Sequence, residues 1–339
     1  MKAVGLTLYL PIDNPESLLD IELPKPTATG RDLLVQINAI AVNPVDTKVR
    51  KPKDKVEETP RVLGWDAAGV VVEAGPDCTL FKVGDAVYYA GDVTRQGCNA
   101  EFQLIDERIV GHRPAKLSDN QAAALPLTAV TAWEALFHRL NIPENKITNQ
   151  GKTLLVIGGA GGVGSIAIQL AKKVAGLTVI VTASRPESVE WVKSLGADVV
   201  VNHHGNLMQA MLAAGHPLVD YILCANDTDA YFGVMADLIK PQGMICSIVE
   251  TAKPVNLDLL KTKSAGFVWE FMFTRSMYKT DDMDAQNRIL DRVSELVDAG
   301  MVKTTLNQVL TPINAANLRQ AHAQLESGTT IGKLVLSGW

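Results

Sequence analysis

The chain has 339 residues, a formal net charge of -5 at neutral pH, 47% hydrophobic residues and 20% charged residues. This length allows two domains with separate cores, and the composition is ordinary for a globular protein. A negative net charge without a basic run argues against nucleic acid or an anionic membrane surface as the main partner. No apolar run approaches the roughly 20 residues that cross a bilayer, and the N-terminal apolar segment soon meets Pro11 and Asp13 without a cleavage-like site. We therefore expect a cytoplasmic protein.

The cysteines show no paired C-x-x-C spacing. This pattern argues against a disulfide framework and against a cysteine-rich structural zinc site. We expect free thiols at all four positions, which are Cys78, Cys98, Cys224 and Cys246.

Residues 1 to about 126 hold short alternating segments, such as 33–37 and 69–73, separated by proline and glycine. No long helical pattern occurs before Asn120. Period-two alternation with frequent breakers is typical of strands joined by turns. The first third of the chain is therefore predicted to be an irregular, mostly β domain.

An apolar strand over residues 152–157 opens onto the turn Gly159-Ala160-Gly161-Gly162-Val163-Gly164, and helical periodicity begins at Val163. Glycines at this spacing permit a tight turn and close approach of the backbone to a pyrophosphate. The following helix N-terminus supplies free N–H groups and the positive end of a dipole. Because strand, turn and helix occur in the order that the G-x-G-x-x-G motif requires, the segment predicts a dinucleotide site.

The next strand, residues 178–182, ends where such folds discriminate between the two nicotinamide cofactors. An acid there would hold the free ribose 2′-hydroxyl of NAD, but Ala183, Ser184 and Arg185 follow instead. A hydroxyl and a guanidinium suit a 2′-phosphate, which favours NADPH. The alternative is that Arg185 is a solvated loop residue and that Glu187, beyond Pro186, is the acid.

From residue 127 to 272 strand and helix signals alternate, which predicts a doubly wound α/β domain with six parallel strands. Gly196 ends one predicted helix, and residues 241–243 separate the predicted helix Asp229–Ile239 from the next strand. The tail has predicted helices at 285–299 and about 315–326, and a final strand at 333–336 that returns to the N-terminal domain. The cleft between the two domains is then the expected catalytic site.

The chain also resembles the medium-chain dehydrogenase/reductase superfamily, specifically its zinc-free quinone oxidoreductase-like branch, over nearly its whole length. The blocks that carry the resemblance, besides the glycine loop, are Ala41-Val42-Asn43-Pro44-Val45-Asp46, Leu63-Gly64-Trp65-Asp66-Ala67-Ala68-Gly69, Val83-Gly84-Asp85-Ala86-Val87 and Leu125-Pro126-Leu127-Thr128-Ala129-Val130-Thr131-Ala132. The resemblance implies a GroES-like β-rich catalytic domain (residues 1–126 and 273–339) and a Rossmann domain (127–272). It also implies a homodimer that pairs through the last Rossmann strand, residues 266–271.

In the zinc-dependent members of this superfamily, a cysteine stands at the position of Asn43, and a histidine and a glutamate stand at those of Trp65 and Asp66. Only Asp66 among these three is able to coordinate a metal, and catalytic zinc needs three protein ligands. The superfamily's four-cysteine lobe is missing too. The six histidines do not form a ligand set, because His203 and His204 are predicted to face opposite ways on a strand end and the others are scattered. We expect no metal.

By resemblance, Asn43 is the candidate hydrogen-bond donor to the reacting oxygen, and Thr131 faces the nicotinamide or ribose. The alternatives are turn chemistry for Asn43 and a helix-start hydroxyl for Thr131; Asp46 is interpreted as structural. Strand ends near the switch point supply further cofactor contacts, with core packing, or exposure for the lysine, as the alternative. The predicted cofactor-binding residues are Asn43, Thr131, Gly161, Gly162, Val163, Ser184, Arg185, Ala225, Asn226, Ile248, Val249, Phe271, Met272 and Lys333.

These residues predict an NADPH-dependent, zinc-independent reductase of a quinone or an α,β-unsaturated carbonyl, because such acceptors take a hydride without a Lewis acid. One alternative is an alcohol or aldehyde dehydrogenase of the same superfamily. Another, from a different class, is a non-catalytic NADPH-binding regulator. The sequence does not identify the acceptor.

Overall fold

The computed structural model describes residues 1–339. These residues form two compact units. The first unit comprises residues 1–130, 273–300 and 304–339, and the second comprises 131–272 and 301–303. The division after residue 130 falls four residues beyond the end of the β domain expected from sequence, inside a helix that begins at Pro126. No helix in the structure has both the length and the apolar character needed to cross a membrane.

The N-terminal part of the first unit is built mainly of strands, with three short α-helices. The strands are β1 (Lys2–Tyr9), β2 (Leu19–Glu22), β3 (Asp32–Ala41), β4 (Lys53–Val62), β5 (Ala67–Ala74), β6 (Ala86–Tyr89), β7 (Phe102–Asp106) and β8 (Val110–His112). The helices are α1 (Pro44–Arg50), α2 (Asp119–Ala123) and α3 (Pro126–Trp133), with a 3-10 turn at Glu107–Ile109.

Strands and helices alternate in the second unit. The elements are β9 (Thr153–Ile157), α4 (Gly162–Leu170), β10 (Thr178–Thr182), α5 (Pro186–Leu195), β11 (Val199–Val201), α6 (Leu207–Ala213), β12 (Val219–Cys224), α7 (Thr228–Leu238), β13 (Ile239–Ser247) and β14 (Gly266–Trp269). π-helical turns at Glu134–Arg139 and Ala171–Ala175 and a 3-10 helix at Leu257–Lys263 complete the unit. The chain then returns to the first unit with α8 (Thr274–Tyr278), α9 (Ala285–Asp298), β15 (Leu306–Leu310), α10 (Ala315–Glu326) and β16 (Lys333–Ser337).

The first unit contains a three-stranded sheet, β2-β1-β4, and a seven-stranded sheet, β15-β16-β3-β5-β6-β8, with β7 also paired to β3. The prediction that the last strand returns to the N-terminal domain is confirmed, because β16 pairs antiparallel with β3 and places Val335 opposite Ala41. On its other side β3 pairs with β5, with Ile40 opposite Ala67. The ends of β16, β3 and β5 therefore meet at one place in the sheet.

The second unit has a single six-stranded sheet in the order β11-β10-β9-β12-β13-β14, with every neighbouring pair parallel. β9 is the first strand of this unit and lies between β10 and β12, so the strand order reverses there. This is the topological switch point of a doubly wound fold. The predicted α/β fold class, a GroES-like β-rich domain with a Rossmann domain, is confirmed.

Two sequence expectations about strand limits are wrong. β13 begins at Ile239, directly after α7, although residues 241–243 were expected to separate helix from strand. Its register with β12 shifts between Val219 and Tyr221, so Pro241 and Gln242, which has a φ of 64°, lie in a bulge. A bulge tolerates a residue that donates no ladder hydrogen bond. β14 ends at Trp269 and leaves Phe271 outside the strand.

A buried arginine–histidine contact joins α1 to α10 in the first unit. The Nε of Arg50 donates to Nδ1 of His322 over 3.3 Å, and Arg50 also pairs with Glu326. Burial, followed by the charge of Arg50, lowers the pKa of His322 to about 3. The imidazole is therefore neutral in the folded chain.

We expect this histidine to weaken the fold in acid. In the unfolded chain its imidazole takes up a proton below the ordinary histidine pKa of 6.5, so the free energy of unfolding falls as the pH drops from there toward 3, by up to about 4 kcal/mol. His322→Gln keeps an acceptor for Arg50 and removes the titration. Urea midpoints at several pH values should show a shallower acid loss for this variant, with His216→Gln as control. Equal slopes in the wild type and His322→Gln would contradict the assignment.

Candidate functional site

The glycine loop joins β9 to α4 at the switch point of the second unit. A Cβ on Gly164 would lie 2.5 Å from the Gly158 carbonyl oxygen, and a Cβ on Gly159 would lie 1.9 Å from Cγ1 of Val181. These two glycines are therefore required by packing within the unit. Gly161, the residue before α4, has only the Gly158 oxygen nearby, at 3.6 Å from such a Cβ. The open side of the loop is thus at the helix N-terminus, where a phosphate binds in this motif.

Other predicted contacts follow the carboxyl ends of the neighbouring parallel strands. Cys224 is opposite Ile157, and Ser247 is opposite Cys224, so β9, β12 and β13 end at one level. The last residues of these strands, Ile157, Cys224 and Ser247, are buried, whereas the residue that directly follows each of them is partly accessible. The predicted residues that share this accessible edge are Gly161, Gly162, Val163, Ala225, Asn226, Ile248 and Val249.

Phe271, Met272 and Thr131 lie elsewhere in the second unit. Phe271 and Met272 follow β14, at the outer edge of the same sheet; Phe271 is exposed and Met272 is buried. Thr131 is buried in the second turn of α3 rather than at its start. The structure thus shows where these three residues lie in the second unit. Their contacts with a cofactor remain predictions.

The end of β10 carries the residues predicted to select the cofactor. The hydroxyl of Thr182 accepts a hydrogen bond from the Gly158 N–H over 2.9 Å, which ties this strand end to the glycine loop. Ser184 is half-buried, and Arg185 is exposed and directly precedes α5. Glu187 is in the first turn of α5. No acid therefore stands between the end of β10 and that helix.

A histidine pair follows the strand next to this one and was not predicted from sequence as part of the cofactor site. β10 and β11 are parallel with Thr182 opposite Val201, so His203 and His204 follow the adjacent strand end. The expectation that they face opposite ways is wrong, because their rings are 4.7 Å apart and tilted by 34°. Burial, followed by the neighbouring His204, lowers the pKa of His203. The sequence signal was that both histidines follow a predicted strand, but the pairing of β10 with β11 was needed to place that strand end next to the end of β10.

The first unit contains a buried lysine at the start of β16. The side chain of Lys333 is only 3% exposed, so the alternative of an exposed lysine is wrong. Its ammonium group donates to the Val42 carbonyl over 2.9 Å, to Oδ2 of Asp66 over 2.8 Å, and to Oδ1 of Asn43. All three of its N–H groups therefore have acceptors.

The carboxylate of Asp66 completes this network. Its Oδ2 also accepts from Nδ2 of Asn43 over 2.8 Å, and its Oδ1 accepts from the backbone N–H of Leu127 over 2.7 Å. Burial raises the pKa of Asp66, and the Lys333 charge is the largest effect in the opposite direction. The second N–H of the Asn43 amide points toward the Ala41 carbonyl at a long 3.4 Å. The amide orientation is thus set by acceptors, Asp66 and Ala41, beside its nitrogen and by one donor, Lys333, beside its oxygen.

Asp46 is a second buried carboxyl group close to this network. Its Oδ2 accepts from the Asn43 backbone N–H over 2.7 Å at the start of α1, whereas its Oδ1 has no hydrogen-bond partner. Burial raises the pKa of Asp46 to about 7. Its hydrogen bond to the backbone supports the structural interpretation.

Comparisons with known proteins define the class of protein to which this chain belongs. Residues 29–114 match the alcohol dehydrogenase GroES-like domain family, and residues 180–336 match the zinc-binding dehydrogenase family. The chain belongs to the medium-chain dehydrogenase/reductase family, whose members are oxidoreductases. The glycine loop and the family together support a nicotinamide cofactor.

Individual relatives match over the full length. A zinc-type alcohol dehydrogenase-like protein of Staphylococcus aureus strain MSSA476 is 45% identical over 99% of this chain and 100% of its own. The crystal structure of a putative zinc-dependent alcohol dehydrogenase from Rhizobium etli is 50% identical, with a TM-score of 0.95 over 100% of this chain and 98% of its own. The quinone oxidoreductase of Coxiella burnetii is 28% identical, with a TM-score of 0.80 over 100% and 99%.

Two of these names refer to zinc, but the residues at the corresponding positions of this chain are poor zinc ligands. Asn43 offers an amide, and Trp65 offers an indole whose Nε1 donates to the Asp92 carbonyl over 3.2 Å. Asp66, the remaining candidate, is engaged by Lys333. Nowhere in residues 1–339 do three or more His, Cys, Asp or Glu side chains form a group placed to hold a metal ion. The donor set does not fit a catalytic zinc, which needs three nitrogen, sulfur or oxygen ligands from the protein.

Proposed function

We propose that this oxidoreductase is an NADPH-dependent, zinc-independent reductase of quinones or α,β-unsaturated carbonyls. The observation that carries the proposal is the replacement of a metal-ligand set by an amide, an indole and a lysine-bound carboxylate at Asn43, Trp65 and Asp66. Alcohol oxidation draws on a Lewis acid to stabilise the alkoxide. A quinone or enone is already electrophilic and accepts a hydride directly, so it matches the residues present.

In the proposed reaction the hydride leaves C4 of the nicotinamide with its electron pair and forms a C–H bond at the β-carbon of an enone, or adds to a quinone. NADPH is oxidised, and the acceptor becomes an enolate or a hydroquinone oxyanion. The second N–H of Asn43, which has only a long contact to Ala41, is the proposed donor to this oxyanion. Thr131 is proposed to orient the nicotinamide or ribose, and water supplies the final proton.

The preference for NADPH rests on the end of β10. Ser184 and Arg185 provide a hydroxyl and a permanent positive charge where NAD-selective folds place an acid. His203 and His204, which follow the adjacent strand, add further potential donors to the same edge. Together they suit a ribose 2′-phosphate better than a free hydroxyl. The remaining cofactor contacts, including Phe271 and Met272 but not Lys333, are proposed as predicted from sequence.

Arg185→Ala should raise the KM for NADPH by about 10- to 100-fold, the loss expected for a hydrogen bond to a charged group. The KM for NADH should change little, because NADH has no 2′-phosphate. Lys193→Ala, which removes a positive charge from the exposed end of the following helix α5, is the matched control. Steady-state kinetics with both cofactors measure the ratio, and an unchanged NADPH/NADH preference in Arg185→Ala would contradict the assignment.

The reaction class is tested by following loss of NADPH absorbance with a panel of quinones, enones and aldehydes, in EDTA. We expect turnover with quinones or enones and none with simple aldehydes. Activity that the chelator abolishes, together with alcohol oxidation, would support the alcohol dehydrogenase named in the relatives instead. Tight NADPH binding without turnover of any acceptor would support the non-catalytic regulator.

We also propose that the chain forms a homodimer through β14. This strand is at the edge of the six-stranded sheet, so one side of its backbone has no strand partner. Trp269 and Phe271 are 44% and 48% exposed, and the Trp269 ring packs on Phe267 with centroids 5.0 Å apart. An edge strand with exposed aromatic side chains is suited to pairing with a second copy.

Trp269→Glu should convert the wild-type dimer to a monomer, because it places a charge in the proposed interface. Light scattering after size-exclusion chromatography measures the mass directly. Val56→Glu is the control, since Val56 is 68% exposed on β4 of the first unit and is not part of the β14 edge. A monomeric wild type, or a dimer that survives Trp269→Glu, would contradict the interface.

A further inference from the structure

The ammonium group of Lys333 lies where three segments of the first unit meet. β16 begins with Lys333, β3 leads into Val42 and Asn43, and Asp66 directly precedes β5. Pairing of β16 with β3 and of β3 with β5 fixes these segments relative to one another. The three acceptors of Lys333 are therefore held by sheet backbone and not by a flexible loop.

Two of these acceptors stand at the positions where the zinc-dependent members carry a cysteine ligand and a glutamate. Lys333 contacts both side chains, Oδ1 of Asn43 and Oδ2 of Asp66. Its third contact is the Val42 carbonyl. A single positive charge thus lies among oxygen atoms, two of which come from the altered ligand positions.

The distances distinguish an ammonium site from a metal site. The Val42 and Asp66 oxygens lie 2.9 and 2.8 Å from Nζ, within the range of charge-assisted N–H···O hydrogen bonds. Oxygen ligands of zinc lie at about 2.0–2.2 Å. In the wild-type chain these oxygens therefore accept hydrogen bonds from an ammonium group and do not coordinate a metal ion.

We propose that the Lys333 ammonium is the resident cation of this site, taking the place that a metal ion holds in zinc-dependent relatives. It neutralises Asp66 and fixes the orientation of the Asn43 amide. With all three N–H groups engaged, Lys333 acts as a positioning residue in place of the cofactor contact expected from sequence. Donation to the amide oxygen also polarises Asn43, which strengthens its remaining N–H as a donor. This last effect alone rests on the proposed function.

Removal of the lysine should create a cation site. In Lys333→Ala, the Val42, Asn43 and Asp66 oxygens surround the vacated space, and oxygen ligands suit a hard ion such as Mn²⁺. Lys333→Met, which fills the space without a charge, is the matched control. The measurement is the melting temperature of wild type, Lys333→Ala and Lys333→Met, first in EDTA and then with MnCl₂.

We expect both variants to melt about 10 °C below the wild type in EDTA, because each leaves Asp66 buried without its partner. MnCl₂ should restore at least half of the loss in Lys333→Ala and none in Lys333→Met, and it should leave the wild type unchanged. No loss in either variant would overturn the proposal. A loss that MnCl₂ does not rescue in Lys333→Ala would mean that Lys333 forms a structural ion pair and does not occupy a cation site, which would overturn the proposal. One tightly bound zinc per wild-type chain would also overturn the proposal.

If Lys333→Ala does not fold, the wild type provides a second test. A lysine ammonium that is buried and fully hydrogen-bonded exchanges its protons with water slowly, so ¹⁵N-labelled protein should show one protected ammonium signal at neutral pH. This signal should be missing in Lys333→Met, and its absence from the wild type would contradict the proposal.

The link to catalysis has a separate readout. With NADPH and 1,4-naphthoquinone, Lys333→Met should lower kcat by at least about tenfold, as expected when a hydrogen-bond donor to the oxyanion is weakened, with little change in the KM for NADPH. An unchanged kcat would remove the polarising role. If the wild type turns over no acceptor, the proposed function fails, whereas the melting and manganese results still decide whether Lys333 is the resident cation.

Discussion

The first unit depends on the buried ion pair between Lys333 and Asp66. Both side chains are almost completely removed from solvent, which is tolerable only because the remaining hydrogen-bonding capacity is satisfied by Val42, Asn43 and Leu127. Breaking such a pair on one side costs about 3–5 kcal/mol. The network therefore holds the start of β16, the end of β3, the residue before β5 and the start of α3 in one arrangement, and Asn43 with them.

The second unit is organised by a different constraint, the close packing of its glycine loop. Gly159 and Gly164 leave no space for a side chain, so the loop backbone lies against β10 and against itself. The strands of the parallel sheet end at one level. The open side of the loop at Gly161 lies at this edge of the sheet. A rigid edge of this kind suits a dinucleotide held by backbone groups, and side chains that follow each strand, such as Arg185, are the proposed determinants of which dinucleotide is preferred.

Local patterns were sufficient to predict the architecture, because the periodicity of strands and helices depends only on residues that are close in sequence. α10 matches its predicted limits of 315 and 326, and the glycine loop lies where the motif placed it. The sequence did not reveal the burial of Lys333, since its partner Asp66 is 267 residues away and the contact depends on the pairing of β16 with β3. For the same reason the sequence did not place His203 and His204 after the strand that pairs with β10. The first residues of β13 were not predicted, because Pro241 locally indicates a break. The bulge that accommodates this proline depends on the pairing of β13 with β12.

The most direct test of the account is the fate of the hydride itself. NADPH deuterated at C4 on the transferred face is incubated with the protein and a panel of enones in EDTA, and any product is analysed by mass spectrometry and NMR. Direct transfer predicts one deuterium at the β-carbon and a solvent proton at the α-carbon. Product without deuterium, or no product despite NADPH binding, would contradict a hydride-transferring reductase that operates without a metal.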